Sequence, residues 1–194
     1  PDYATANWTS ANGNIGSGVT FAEICYASNP SYTNVPDDNF EQALIDLGYD
    51  DTLDDYVLTE NISGVTNLNV SSKSISDLTG IEDFSALGIL NLTSNSMTSV
   101  DISSNTGLTE LRVEACPITS LDVSSNTNLI FIEASNTSIS SLDLSNNLAL
   151  DHLSIAVTSN LTSIDLSNNT ALTRLTTYYG ALTSLDVSNN SALQ

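Results

Sequence analysis

Five aspartates, Asp101, Asp122, Asp143, Asp165 and Asp186, stand 21, 21, 22 and 21 residues apart, each with Ser two places on and Asn four places on. Carboxylates this regular could bind cations in a row, act as acids and bases, or hold turns. At a strand spacing of ~5 Å neighbouring charges repel by slightly under 1 kcal/mol each even at the dielectric of water. Hydrogen bonds from the neighbouring Ser and Asn, raised pKa values or bound cations must offset that repulsion. Ca2+ takes six to eight oxygens, whereas the row offers one charged residue per repeat. Catalysis needs one acid–base constellation, not a recurring residue. The row is therefore read as structural: each Asp accepts from Ser or backbone N–H groups, and Asn105, Asn126, Asn147, Asn169 and Asn190 bond to loop carbonyls.

Other residues with chemical potential are few. Between Asp37 and Glu60 lie nine acidic residues and no basic one, densest in "DDTLDD" at 50–55. Asp50, Asp51, Asp54 and Asp55 make a loose calcium-loop candidate, but Thr52 and Asp55 stand where an EF-hand has Asp or Asn and Gly. A solvated acidic turn is the competing reading. His152 is the sole histidine, and Glu110 and Glu114 share a strand face with no cleft to desolvate them. "GNIGSG" (13–18) lacks the Lys of a phosphate loop. Cys25 and Cys116 fit no metal spacing and are read as two separate thiols or a disulfide pair. No catalytic site is expected, and no cofactor beyond the calcium candidate.

These residues ride on a repeat. Aligned on the aspartates, the unit reads L-x-x-L-x-V-x-x-(N/C/T/G)-x-(I/L)-T-S-L-D-V-S-(S/N)-N-x-x, as in "LTELRVEACPITSLDVSSNTN" (108–128). Copies start at Leu87, Leu108, Leu129, Leu150 and Leu172, with a divergent one near Val65. One unit cannot bury its own apolar positions; stacked units share a continuous core. The L-x-L alternation predicts short parallel strands, and the Asp half of the unit is expected to form a second, opposite strand. The expected fold is a repeat solenoid of about six 21-residue turns, roughly 30 Å long at strand spacing.

"LGILNLTSNSM" (87–97) resembles the leucine-rich repeat family, whose unit is L-x-x-L-x-L-x-x-N-x-L, and Cys116 takes the Asn position of the next copy. The whole unit is similar to the nested 21-residue subtype of bacterial secreted proteins, and "SISDLTGIEDFSAL" (74–87) is similar to internalin repeats. Upstream, "VPDDNFEQALIDLGY" (35–49) predicts an amphipathic helix, started by Pro36 and Asp37, stopped by Gly48, with Phe40, Ala43, Leu44 and Leu47 on one face. The expected organisation is a linker or the tail of a preceding domain at 1–34, an acidic helical cap at 35–64, and the solenoid at 65–194, continuing beyond the C-terminus. "GVTFAEICYA" (18–27) reads as one strand within the first segment. The resemblance to bacteroidete secreted and cell-surface proteins also implies an O-glycan acceptor at Thr52, in "DTL".

Twenty-three acidic against three basic residues give a net charge of −20, which excludes nucleic acid and anionic membranes as partners. The chain holds no apolar run long enough to span a membrane. Positions 3, 5 and 7 of each unit should point outward, and there the chemistry varies from copy to copy. Glu110, Arg112, Phe131, Glu133, His152, Arg174, Thr176 and Tyr178 form the expected ligand-binding face. The Asp half stays monotone, as packing requires, while a varied face can encode recognition. The expectation is a secreted or cell-surface module that binds a protein or glycan as part of a larger polypeptide. The alternative is a spacer or stalk of a surface adhesin or filament with no ligand of its own.

Overall fold

The computed structural model describes residues 30–194. The expected strand at 18–27 and Cys25 lie outside them. Residues Tyr32–Gln194 form one compact unit.

Its spine is a six-stranded parallel sheet: β3 (Asn67–Asn69), β4 (Ile89–Asn91), β5 (Glu110–Arg112), β6 (Phe131–Glu133), β7 (His152–Ser154) and β8 (Arg174–Thr176), in sequence order. Earlier in the chain, β1 (Tyr32–Asn34) and β2 (Tyr56–Leu58) pair antiparallel and enclose helix α1 (Asp38–Asp46), with the one-turn helix α2 (Thr59–Ile62) following. The register is in phase from end to end. Leu68, Leu90, Leu111, Ile132, Leu153 and Leu175 are paired along one inward row. The first five are buried, and Leu175, at the last strand, is half-buried.

Three residues past the end of each strand stands a residue with left-handed backbone: Ser72, Ser94, Ala115, Asn136, Val157 and Tyr179 have φ between 53° and 59°. The N–H of such a residue donates to the next repeat, as from Ala115 to Ser135 O at 3.0 Å and from Val157 to Tyr178 O at 2.9 Å. That kink turns the chain off the sheet. It also corrects, in two copies, the expectation that position 7 faces outward: Glu114 and Tyr178 are exposed there, but Ser135 and Ala156 are not. The strands cover only positions 3 to 5, so Ser135 and Ala156 lie in the kink and are buried. There the Ser135 hydroxyl meets Ser154 Oγ at 2.8 Å and accepts from the Ala156 N–H at 3.2 Å.

The Asp half of the unit forms no second strand among the described residues. Its backbone is diverted into turns. Asp101, Asp122, Asp143, Asp165 and Asp186 each accept, through Oδ1, the N–H two residues on at 2.9–3.0 Å. An i→i+3 bond follows at once, as from Asn126 N–H to Val123 O at 3.0 Å. Local side-chain bonding of this kind competes with a sheet ladder and wins when every copy carries the same Asp.

Helix α1 is shorter than the expected 35–49 span. Asp37 is its N-cap, accepting from Asn39 and Phe40 N–H at 3.0 Å each, and Gly48 with φ 80° lies just beyond its end. Phe40, Ala43 and Leu44 are buried as expected, but Leu47, past the last helical residue, is 45 % exposed and Glu41 is fully buried. Phe40 stacks on Phe84 with centroids 6.4 Å apart, so one apolar core runs from Val35 to Leu172. Gly80 permits the closest approach of the hairpin: its φ is 104°, and a Cβ there would stand 2.8 Å from Asn34 O.

Candidate functional site

The sheet face opposite the leucine row carries two lines of side chains. One runs Ile89, Glu110, Phe131, His152, Arg174; the other runs Asn91, Arg112, Glu133, Ser154, Thr176. In-register strands bring residues 21 or 22 places apart into adjacent positions, and diagonal neighbours remain within reach of long side chains.

Three flat groups stack at the centre of this face. The Arg112 guanidinium carbon lies 4.3 Å from the centroid of Phe131, and Phe131 stacks on His152 with centroids 5.8 Å apart and ring planes at 28°. Glu110 Oε2 holds Arg112 from below at 3.1 Å. On the far side His152 Nδ1 stands 2.6 Å from Asp151 Oδ2, and the Thr173 hydroxyl donates to Asp151 Oδ1 at 2.6 Å. That hydroxyl first, and His152 with it, hold the Asp151 carboxyl below the usual aspartate value. The result is a pinned sandwich, guanidinium on phenyl on imidazole, with carboxylates at both ends.

Beside it lies a shallow recess of about 130 Å³ lined by Phe131, Glu133, His152, Ser154, Arg174 and Thr176. Arg174 is exposed and has no carboxylate within 4 Å among the described residues. Tyr178 is exposed too and meets Tyr179 edge-on, centroids 5.5 Å apart. All eight residues expected on the face therefore sit on one side of the sheet or at its rim. The stack itself went unread, because it depends on rotamers and not on spacing.

On the Asp half, hydrogen bonds offset the like-charge repulsion. The Ser N–H and hydroxyl two residues on hold Asp101, Asp143, Asp165 and Asp186 below the ordinary aspartate value; for Asp122 the Ser124 hydroxyl leads. This corrects raised pKa values as a way of relieving the row. Behind it the asparagines are buried and staple each turn to the one before: Asn126 Nδ2 donates to Ile102 O at 3.0 Å and Asn105 O at 2.9 Å, and Asn147 to Val123 O at 3.1 Å and Asn126 O at 2.9 Å.

A second buried row crosses the strand ends. Asn95 Nδ2 donates to Val70 O and Leu92 O, and its Oδ1 accepts from Lys73 and Ile75 N–H. Cys116 takes the same rung one repeat later, with Sγ 3.1 Å from Leu92 O, followed by Thr137 and Thr158 bonding to Ala134 O and Ile155 O at 2.8 Å. Cys116 is a free, buried thiol, and burial pushes its pKa up.

In the acidic segment, no three acidic, histidine or cysteine side chains among the described residues stand close enough to hold a metal ion by themselves. Thr52 lies in an exposed loop with its hydroxyl 2.9 Å from Asp51 Oδ1. Among the described residues no helix is long and apolar enough to cross a membrane.

A parallel sheet of one strand per 21 or 22 residues, a leucine row inside and an asparagine-type ladder at the strand ends define the class: the chain is a leucine-rich-repeat solenoid of the internalin type of fold. No protein-family model matches it. Internalin J of Listeria monocytogenes serotype 4b (strain F2365) is 35% identical over 71 residues, 37% of this chain and 8% of that protein. Among solved structures, the functional domain of InlJ from Listeria monocytogenes, described as including a cysteine ladder, matches with a TM-score of 0.66 at 28% identity, covering 86% of this chain and 42% of that one. The internalin InlF from L. monocytogenes str. 4b F2365 matches with a TM-score of 0.76 at 26% identity, covering 87% and 52%. The chain thus spans about half, or less, of each relative's length.

Proposed function

We propose that this chain is a non-catalytic recognition module, displayed outside a bacterial cell, that binds a protein partner through the β4–β8 face. The observation that carries the reading is the Arg112–Phe131–His152 sandwich. A rigid aromatic and arginine cluster at the centre of an exposed face is the composition of binding hot spots. Extended repeat sheets also offer breadth in place of a deep pocket.

The same geometry favours a protein over a glycan in this reading. A sugar ring stacks on the open face of an aromatic side chain, whereas Phe131 already packs against Arg112 and His152. What it offers is an edge, framed by Glu110, Glu133 and Arg174, which suits the mixed polar and apolar contacts of a protein surface. The residues proposed to contact the partner are Glu110, Arg112, Phe131, Glu133, His152, Arg174, Thr176 and Tyr178. Display at the cell surface would also expose the Thr52 loop to glycosylation.

The test is an array of host and bacterial surface proteins, alongside glycans, probed with the wild type and with an Arg112→Ala/Phe131→Ala pair. Binding to a protein that the pair loses supports the reading. Equal binding by both forms sinks it, and binding to glycans alone replaces the partner class.

A further inference from the structure

The shallow recess beside the Arg112–Phe131–His152 stack carries charges of opposite sign at two of its corners. Glu133 ends β6 and Arg174 begins β8, with the side chains of Phe131, His152, Ser154 and Thr176 around them. Glu133 faces Arg112 in register on one side and Ser154 on the other. That arginine is turned away from it: its guanidinium is held by Glu110 at 3.1 Å and lies over Phe131. Among the described residues Glu133 has no ion-pair partner within 4 Å.

Arg174 stands in the complementary situation. Twenty-three acidic residues compete for three basic ones, and the other two are taken: Lys73 by Asp46 at 2.7 Å, Arg112 by Glu110. Arg174 alone holds no carboxylate among the described residues. Its neighbour Asp151 is committed to Thr173 and His152, at 2.6 Å each. Nor can Glu133 and Arg174 satisfy each other. Two strand spacings of ~4.8 Å across and two residues of ~3.3 Å along put their backbones about 12 Å apart. Between them the recess of about 130 Å³ has the volume of roughly four waters, room for one side chain.

We infer that the protein partner presents an acidic residue to Arg174 and a basic residue to Glu133, with a side chain between them filling the recess against the edge of Phe131. This rests on the β4–β8 face being the binding surface, and it adds the partner's chemistry and orientation. A partner docked the other way round would bring like charges together, which costs more than the lost attraction. The two halves of the requirement differ in what they discriminate. A net charge of −20 attracts basic partners to any part of the surface. A demand for an acidic residue arises only at Arg174, so that contact separates the specific partner from a merely basic one.

The experiment pans a phage-displayed library of random peptides on the 194-residue chain at about 0.15 M salt, where long-range attraction is screened. Recovered peptides are synthesised and titrated against the wild type, Glu133→Gln, Arg174→Gln and the Arg112→Ala/Phe131→Ala pair. Glu133 is half-buried and Arg174 exposed, so both Gln variants should fold, which circular dichroism checks. Peptides that need the face should carry both an acidic and a basic residue and lose about tenfold in affinity on either Gln variant. Replacing the peptide's acidic residue by Ala should abolish the loss on Arg174→Gln, and replacing its basic residue should abolish the loss on Glu133→Gln. Peptides that lose binding on the Ala pair yet bind both Gln variants at full strength overturn the inference and leave the face reading standing. Peptides charged with one sign only overturn it too. Recovery of no peptide that depends on Arg112 and Phe131 overturns both.

Discussion

Asp37 and Ser76 are joined by two hydrogen bonds on a single carboxylate oxygen: Asp37 Oδ2 accepts the Ser76 hydroxyl at 2.7 Å and the Ser76 N–H at 2.9 Å, with the Asp77 N–H adding a third at 3.0 Å. The other oxygen caps α1. One side chain therefore starts the helix and pins it to the first turn of the solenoid. Loss of a cap costs about 1 kcal/mol, and stranding further N–H groups adds about 1–3 kcal/mol. Asp37→Ala should destabilise the chain by about 2–4 kcal/mol in urea unfolding, with Asp37→Asn intermediate.

Acid should act on the same groups. Burial pushes Asp37 up, yet the Ser76 hydroxyl and the N–H groups of Ser76, Asp77 and Phe40 outweigh it and hold its pKa below the ordinary 3.8. The five row aspartates are lowered too. A carboxyl lowered on folding contributes stability that is complete above the unfolded value and disappears as pH falls through the folded one. The melting midpoint should hold down to about pH 4 and drop below it. A midpoint that rises below pH 4 would contradict these shifts.

Val157 has a φ of 57° where the preceding repeat places Asn136. A β-branched residue is strained there, whereas Asn adopts the left-handed region readily. The Val157 side chain is 42 % exposed, so little packing is lost on replacement. Val157→Asn should stabilise by about 1 kcal/mol, raising the melting midpoint by about 2–4 °C.

Asn147 sits at the middle of the buried staple, and its two acceptors, Val123 O and Asn126 O, have no substitute donor in an Ala variant. Asn147→Ala should cost about 2–4 kcal/mol, whereas Asn146→Ala, on the exposed neighbour with one bond of 3.4 Å, should cost under about 0.5 kcal/mol. Equal effects from the two would show that the staple is not what holds adjacent turns.

Cys116 should resist alkylation in the native state, since a buried thiol with a raised pKa exposes almost no thiolate. In a Cys25→Ser background, labelling at pH 8 should proceed only as the solenoid unfolds, and its rate should follow urea concentration. Fast labelling of the native chain would place Cys116 nearer solvent than its bond to Leu92 O allows.

The period was legible because the leucines and the aspartates repeat together; a shift of one residue would turn every side chain of a strand to the other face. That fixed which of Glu110, Phe131, His152 and Arg174 would be neighbours. The kink residues were not legible. Ser94, Ala115, Asn136, Val157 and Tyr179 share a backbone conformation and no side-chain property. Glu41 escaped for a related reason: its partners, the N–H groups of Asp54 and Tyr56, are backbone, and backbone donors leave no trace in residue type. The second strand was misread because apolar alternation in "SLDVS" looks extended, while the Asp within it folds the chain into a turn.

The asparagine staples point one way, each donating backward to the preceding turn, and the first turn is itself fastened to α1 by Asp37. Under tension along the polypeptide, each turn is therefore held from its N-terminal side by the turn before it. Pulling should release the solenoid one turn at a time, each turn from the C-terminal side of its staple, in a sawtooth. Each event releases 21 or 22 residues, roughly 70 Å of slack at ~3.4 Å per residue, so a load is absorbed in small instalments while the capped end stays folded.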